Sequence, residues 1–214
     1  MLVELSRDEA LEKLKNLVGQ DLRQLALQYG VTVFKENAGF NKGWTGLVVE
    51  RYLGLPPNSL QNPDFGDWEL KVVPLKKRLD QHIVPKETMA ITMINPDDVA
   101  ATPFNESHLY HQLLRMIVCG RRFVDRQESS AVFERCEVFD FDDHADKAMI
   151  AQIESDYEDV RTILNQTGNP RKAFEQLSGK MGVYVQPRTK GRGHGSISRA
   201  FYMRKNGLTQ LLKL

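Results

Sequence analysis

The sequence predicts an α/β fold, a mixed central sheet flanked by helices. Three observations carry this: apolar residues recur at helical spacing near both ends, short β-branched and aromatic runs fill the middle, and Gly and Pro punctuate between them. A chain of 214 residues suits one domain, or one domain with a smaller lobe, and can bury a sizeable core without disulfides. With 41% hydrophobic and 27% charged residues it has the composition of an ordinary soluble globular protein. No apolar run reaches the length of a membrane span, and Met1-Leu2-Val3-Glu4-Leu5 lacks the basic-then-apolar pattern of a signal peptide, so a cytoplasmic protein without membrane attachment is expected. Cys119 and Cys136 have no zinc-type spacing, which makes them buried reduced thiols by default.

Ser6 followed by Glu9 forms a capping box. Leu11, Leu14, Leu17 and Val18, then Leu22, Leu25 and Ala26, predict two amphipathic helices meeting near Gly19, the second ending at Gly30. A loop at 36–42 leads into a helix over 44–53, where Glu50 interrupts an apolar segment and is either surface-facing or functional. Pro56-Pro57-Asn58 breaks the chain. Strands follow at about 68–73 and 89–94, a short helix at 108–114, and strands at 116–119 and 137–141. Asp142 or Asp143 caps a long helix reaching about Leu164. A short helix at 172–177, short strands at 183–186 and 201–204, and a helix at 208–212 complete the pattern.

The net charge of +1 conceals a strong asymmetry. Ten acidic residues against two basic ones lie between Glu134 and Asp159, and no acidic residue follows Glu175, whereas eight basic residues lie between Lys180 and Lys213. Such a tail, with Arg188, Lys190, Arg192, Arg204 and Lys205, can present a phosphate-binding face. It is either that or a solvated basic end. Tyr184, Phe201, Tyr202 and Met203 mark it as packed strands rather than a disordered tract.

In the stretch from Pro63 to Lys71, Asp64, Glu69 and Lys71 supply two hard oxygen ligands and one cation. Mg²⁺ prefers such oxygens and binds through one or two carboxylates while keeping several waters. Strand alternation puts Glu69 and Lys71 on one side, where a metal can activate water and the ammonium can orient or deprotonate it. Metal-dependent phosphodiester hydrolysis needs this set; an ordinary charged strand edge is the alternative.

Asn41-Lys42-Gly43-Trp44-Thr45-Gly46 at a helix start, then Asp64-Phe65 and Glu69-Leu70-Lys71-Val72-Val73-Pro74, resembles the MutH family of DNA endonucleases. That family comprises the mismatch-repair nicking enzyme and related type II restriction endonucleases, built on the PD-(D/E)XK fold. The resemblance continues at Ser107-His108-Leu109-Tyr110-His111 and Phe201-Tyr202-Met203-Arg204-Lys205-Asn206.

It implies that Asp64 and Glu69 hold Mg²⁺, with Mn²⁺ as a substitute, that Lys71 assists the water, and that Glu50 is a supporting acid. It further implies that Lys42 contacts phosphate near the cleft and that Tyr202 takes part in base readout, with an ordinary core aromatic as the other reading. Residues 1–214 then form one nuclease domain, with an N-terminal lobe carrying catalysis and a C-terminal lobe carrying readout around a DNA cleft. His108 and His111, at i and i+3, fit phosphate contact better than a metal pair. His194 lies in a glycine-rich loop whose Lys190 and Arg192 can reach phosphate or guanine edges.

Four residues separate Asp64 from Glu69, a shorter gap than in the mismatch-repair enzyme and the spacing of some monomeric restriction enzymes of the group. It makes Asp67 a competitor for the first ligand, although Asp64 keeps the Asp-Phe pair. Gln112 stands where the family can place a Lys. The expected function is a Mg²⁺-dependent, sequence-specific endonuclease acting on double-stranded DNA as monomer or homodimer, of restriction type. The alternatives are a GATC-nicking repair enzyme activated by a mismatch-repair partner, and a catalytically silent DNA-binding module.

Overall fold

Ser6 opens the first helix as its sequence predicts: its hydroxyl accepts from the Glu9 amide while the Glu9 carboxylate accepts from the Ser6 amide at 3.0 Å. The structure is a computed structural model describing residues 5–34, 39–54, 68–141, 147–191 and 198–214. The elements in chain order are α1 (Arg7–Lys15), α2 (Leu22–Gln28), α3 (Trp44–Leu53), β1 (Glu69–Lys77), β2 (Ile83–Pro85), β3 (Met89–Met93) and α4 (Pro96–Ala101). They continue with α5 (His108–Leu113), β4 (Arg115–Arg122), β5 (Phe133–Asp140), α6 (Lys147–Asn165), α7 (Pro170–Ala173), β6 (Val185–Thr189), β7 (Arg199–Met203) and α8 (Lys205–Leu211). The break expected at Pro56-Pro57-Asn58 and the cap expected at Asp142 or Asp143 lie outside the described residues.

The chain divides into two units: Met1–Lys86 with Met116–Val138 and Leu211–Leu214, and Glu87–Arg115 with Phe139–Gln210. The first holds a mixed four-stranded sheet in the order β2-β1-β4-β5, with β1 antiparallel to β2 and parallel to β4. The parallel register sets Leu70 beside Ile117 and Val72 beside Cys119. These four face the same core as Leu14, Leu17, Leu22, Trp44, Val48 and Val49 from the N-terminal helices and their connection. Each such buried aliphatic side chain contributes about 1.5–3 kcal/mol. On the opposite face Val73 pairs with Gly120, where a Cβ would stand 2.5 Å from the Leu75 side chain and would force that side chain to shift.

Asp21 joins two parts of this unit. Its carboxylate caps α2 through the Arg23 amide at 2.9 Å and also takes the Ala131 amide at 2.9 Å and the Ser130 hydroxyl at 2.8 Å. Arg121 of β4 and Glu128 of the following loop form a buried two-point ion pair, Nη2 to Oε1 at 2.8 Å with Nη1 on Oε2. The Trp44 ring lies 5.8 Å from that guanidinium.

The second unit holds an antiparallel sheet in the order β3-β7-β6. The α6 helix packs on it, bringing the Tyr157 ring within 5.7 Å of Phe201. Asp156, one residue earlier on α6, accepts the amides of Val183, Tyr184 and Val185, each at 2.7 Å, and the Gln152 amide at 3.0 Å. Gly182 makes that turn possible: its φ is +73°, and a Cβ would sit 1.8 Å from the Val185 carbonyl oxygen.

The α/β expectation and its mixed sheet stand, with corrections in detail. The strands expected near 89–94, 183–186 and 201–204 form their own sheet, because β7 pairs with β3 on one side and β6 on the other. The first strand runs on to Lys77 because β2, which the sequence pattern does not announce, pairs with its far end. Likewise unexpected is α4, although Asn95 caps it with Pro96 in its first turn. The strand expected from Glu137 begins at Phe133, and the last helix begins at Lys205 rather than Leu208.

Candidate active site

Strand β1 does for Glu69 and Lys71 what its alternation predicts. Leu70 and Val72 turn into the apolar core, and Glu69 and Lys71 emerge together on the other face. The Lys71 ammonium donates to Glu69 Oε1. Glu69 is 3% exposed. A carboxylate so far from water is strongly penalised without a cation or hydrogen-bond donors, and Lys71 supplies the cation.

Glu50 sits on α3, the helix that packs against β1, and is half-buried. Its carboxylate lies back over Gly46, where an added Cβ would be 3.6 Å from Oε1. Lys42 is exposed in the turn that starts α3. The Asn41 side chain shapes that turn, accepting the Gly43 amide at 3.3 Å and donating to the Thr32 carbonyl at 2.8 Å. Asp64, the expected first ligand, and its competitor Asp67 lie outside the described residues.

Among the described residues no group of three His, Cys, Asp or Glu side chains converges to hold a metal. Glu69 nevertheless fits a Mg²⁺ site: it is a hard oxygen donor, buried, and already balanced by positive charge, and this metal uses few protein carboxylates. Of the expected pair of ligands, Glu69 is the one that lies among the described residues.

In the second unit Arg188 of β6 stands above Tyr202 of β7, its guanidinium carbon 5.5 Å from the ring centroid, and donates to the Thr88 hydroxyl at 2.7 Å. The antiparallel register puts Gln186 opposite Tyr202 and Arg188 opposite Ala200, so Tyr202 and Arg188 share a sheet face. Tyr202 is half-buried there rather than sealed in the core. Arg204 holds the backbone together: one guanidinium nitrogen donates to the carbonyls of Gly179 at 2.9 Å and Met181 at 2.7 Å. Lys190 and Lys205 are exposed, and so are His108 and His111 on α5. Arg192 and His194 lie outside the described residues. Gln112, at the position expected to lack an auxiliary cation, is buried.

Two arrangements escape sequence reasoning, the Arg121–Glu128 pair and the Asp156 amide cluster. Their partners are seven residues apart in one case and more than 25 apart in the other. A buried Asp in an acidic run reads as one more surface charge. The one signal for it was the turn-forming Gly182 close before β6. Both thiols are free; Cys119 is buried as expected, whereas Cys136 is only partly buried, and burial pushes Cys119 well above its ordinary range and Cys136 upward as well.

A buried strand carboxylate partnered by the Lys two residues on, on a mixed sheet covered by N-terminal helices, has the features of a PD-(D/E)XK nuclease core. The family described as "DNA mismatch repair enzyme MutH" matches residues 53–151. The DNA mismatch repair protein MutH of Shewanella woodyi is 26% identical over 212 residues, covering 95% of this chain and 83% of its own. That of Haemophilus ducreyi is 25% identical over 224 residues, covering 94% and 90%. That of Vibrio campbellii is 30% identical over 114 residues, covering 52% and 48%. A solved complex of the restriction endonuclease MvaI with cognate DNA aligns over 97% of this chain and 98% of its own, at 13% identity and a TM-score of 0.39, a likeness too loose to add weight. Along nearly its whole length the chain is similar to MutH, and this likeness indicates a DNA endonuclease of the PD-(D/E)XK type. Among the described residues, no helix is long and apolar enough to cross a membrane.

Proposed function

We propose that this chain hydrolyses phosphodiester bonds of double-stranded DNA at a defined sequence, using Mg²⁺ or Mn²⁺, as a restriction-type endonuclease. The observation that carries this reading is the buried Glu69 carboxylate with the Lys71 ammonium on it. A divalent cation bound by Glu69 and Asp64 would neutralise charge on the phosphate and lower the pKa of the attacking water. Lys71, tethered to Glu69, orients that water or takes its proton. Glu50 supports the acidic cluster from α3, and Lys42 holds a neighbouring phosphate. The water oxygen forms the new bond to phosphorus in line with the departing 3′ oxygen, which leaves as a hydroxyl and keeps the phosphate on the 5′ side.

Arg188, Lys190, Arg192 and Lys205, with His108 and His111, supply phosphate contacts from the second unit, and Tyr202 takes part in base readout; Arg204, engaged with the Gly179 and Met181 carbonyls, is left out of the set. The stacking of Arg188 on Tyr202 supports this, because it presents a guanidinium in fixed orientation, the geometry that bidentate recognition of phosphate or guanine requires.

A second reading, a repair nickase switched on by a partner protein, is favoured by the MutH relatives that align along nearly the whole chain. The restriction reading is favoured by the short Asp64 to Glu69 gap. Supercoiled plasmid incubated with the protein and Mg²⁺, with the ends sequenced, separates them. Linear product with ends at one repeated site is the expected outcome, and slow nicking alone would favour repair. Lys71→Ala should abolish cut product; full cleavage by that variant would overturn the catalytic assignment.

A further inference from the structure

The strand that carries Glu69 and Lys71 does not stop at the active site. It continues to Lys77 and turns back through Arg78, Leu79, Asp80, Gln81 and His82 into β2. Lys76, Lys77 and Arg78 are consecutive and exposed, and neither lysine has an ion-pair partner among the described residues. The only acid at the tip, Asp80, is 3.6 Å from Arg78 Nε and spends its Oδ1 on the His82 amide at 3.2 Å. Residues 76–80 line an open hollow of about 450 Å³.

Leu79, at the apex, is 102% exposed. A lone exposed leucine is common on protein surfaces. This one is held out by a formed turn: the Arg78 amide donates to the His82 carbonyl at 2.8 Å and the Gln81 amide to the Arg78 carbonyl at 3.0 Å. The Gln81 side chain donates to the Leu79 carbonyl at 3.3 Å. Gln81 accepts a left-handed φ of +68° to close it. An apolar side chain projecting from a rigid cationic tip matches the way proteins press a wedge against a base step in the minor groove while cations hold the flanking phosphates.

We propose that the β1–β2 hairpin is a DNA-contacting arm, with Lys76, Lys77 and Arg78 on backbone phosphates and Leu79 against a base step in the minor groove. This rests on the reading of duplex DNA as substrate. By strand alternation Lys77 shares a face of β1 with Glu69 and Lys71. Six residues at roughly 3.3 Å each put it about 20 Å from Lys71. At about 3.4 Å per base pair, the arm meets DNA some six base pairs from the scissile bond.

The test is anisotropy titration of labelled duplex with the full chain, without divalent metal so that no strand is cut, over a salt series. The triple variant K76Q/K77Q/R78Q should flatten the slope of log K against log salt by about 2–3, since each lost phosphate contact removes about 0.9. It should bind roughly tenfold or more weakly at moderate salt. Leu79→Ala should leave the slope intact, weaken binding about tenfold, and abolish the fluorescence rise of a 2-aminopurine placed about six base pairs from the cut. Trimming the duplex short of that position should erase the difference between wild type and both variants. Unchanged slope and affinity in the triple variant, with wild type binding normally, would overturn the arm and leave the nuclease reading intact. Failure of wild type to bind or cut any duplex would remove the nuclease reading, and this proposal with it.

Discussion

Glu69 and Asp156 are both almost fully buried carboxylates, 3% and 2% exposed, yet the two units accommodate them by different physics. Asp156 on α6 is surrounded by the three successive amides of Val183, Tyr184 and Val185 and by Gln152. Glu69 on β1 is met by the Lys71 ammonium, whose side chain is 23% exposed. Backbone dipoles can leave Asp156 only if the turn before β6 comes apart, so that carboxylate belongs to the fold. An ammonium on a flexible four-carbon stem can swing and be replaced by another cation. Burial alone therefore does not mark an acid as catalytic; under the proposed function, what sets Glu69 apart from Asp156 is a side-chain cation rather than backbone amides as its partner.

Glu69→Gln should give the largest effect that separates the two acids. Cleavage is expected to fall by at least about 10³-fold, as for loss of a principal electrostatic contact in a transition state. DNA affinity and melting temperature should hold near wild type, as gel shift and thermal melts would report. Asp156→Asn should do the reverse. It turns one carboxylate oxygen into a donor facing amide donors, which should destabilise by about 2–4 kcal/mol. The melting temperature should then drop by roughly 5–15 °C, while cleavage at low temperature stays within about threefold of wild type. If Glu69→Gln melts early and Asp156→Asn cuts poorly while folded, the distinction between the two acids fails.

Asp21 extends the contrast at a smaller scale. Burial pushes its carboxyl up, but donation from the Ala131 and Arg23 amides and the Ser130 hydroxyl outweighs this and leaves it below the ordinary carboxylate range. A group with a lowered folded pKa stabilises the fold above its unfolded pKa, and that contribution fades as pH falls through the folded value. Asp21→Ala should therefore cost about 1 kcal/mol at neutral pH, seen as a melting shift of roughly 2–4 °C. In acid well below the ordinary carboxylate range the two proteins should melt together. A gap that persists there would show that Asp21 acts through packing rather than charge.

The parts of this molecule legible in the sequence are those governed by short-range periodicity. The Ser6–Glu9 capping box, the long helix ending near Leu164 and the shared face of Glu69 and Lys71 all follow from spacings within a few residues. Misplaced elements depended on distant partners. Three-residue β2 exists because Lys77 and Leu75 offer it a ladder, and β5 begins early because Phe133 is sealed in the core. The basic C-terminal stretch reads as one phosphate-binding set, yet Arg204 is engaged with the carbonyls of Gly179 and Met181 while Arg188 stacks on an aromatic ring.

The α/β class, the nuclease-like Glu-x-Lys strand and the family resemblance were settled by sequence, since each rests on residue types at fixed short intervals. The division of the strands between two sheets and the place of Asp156 in the fold came from tertiary structure alone. So did the continuation of β1 past Lys71 to a cationic tip carrying Leu79. Pairing and burial join residues far apart in the chain, and a side chain's charge has no fixed meaning until its neighbours in space are known.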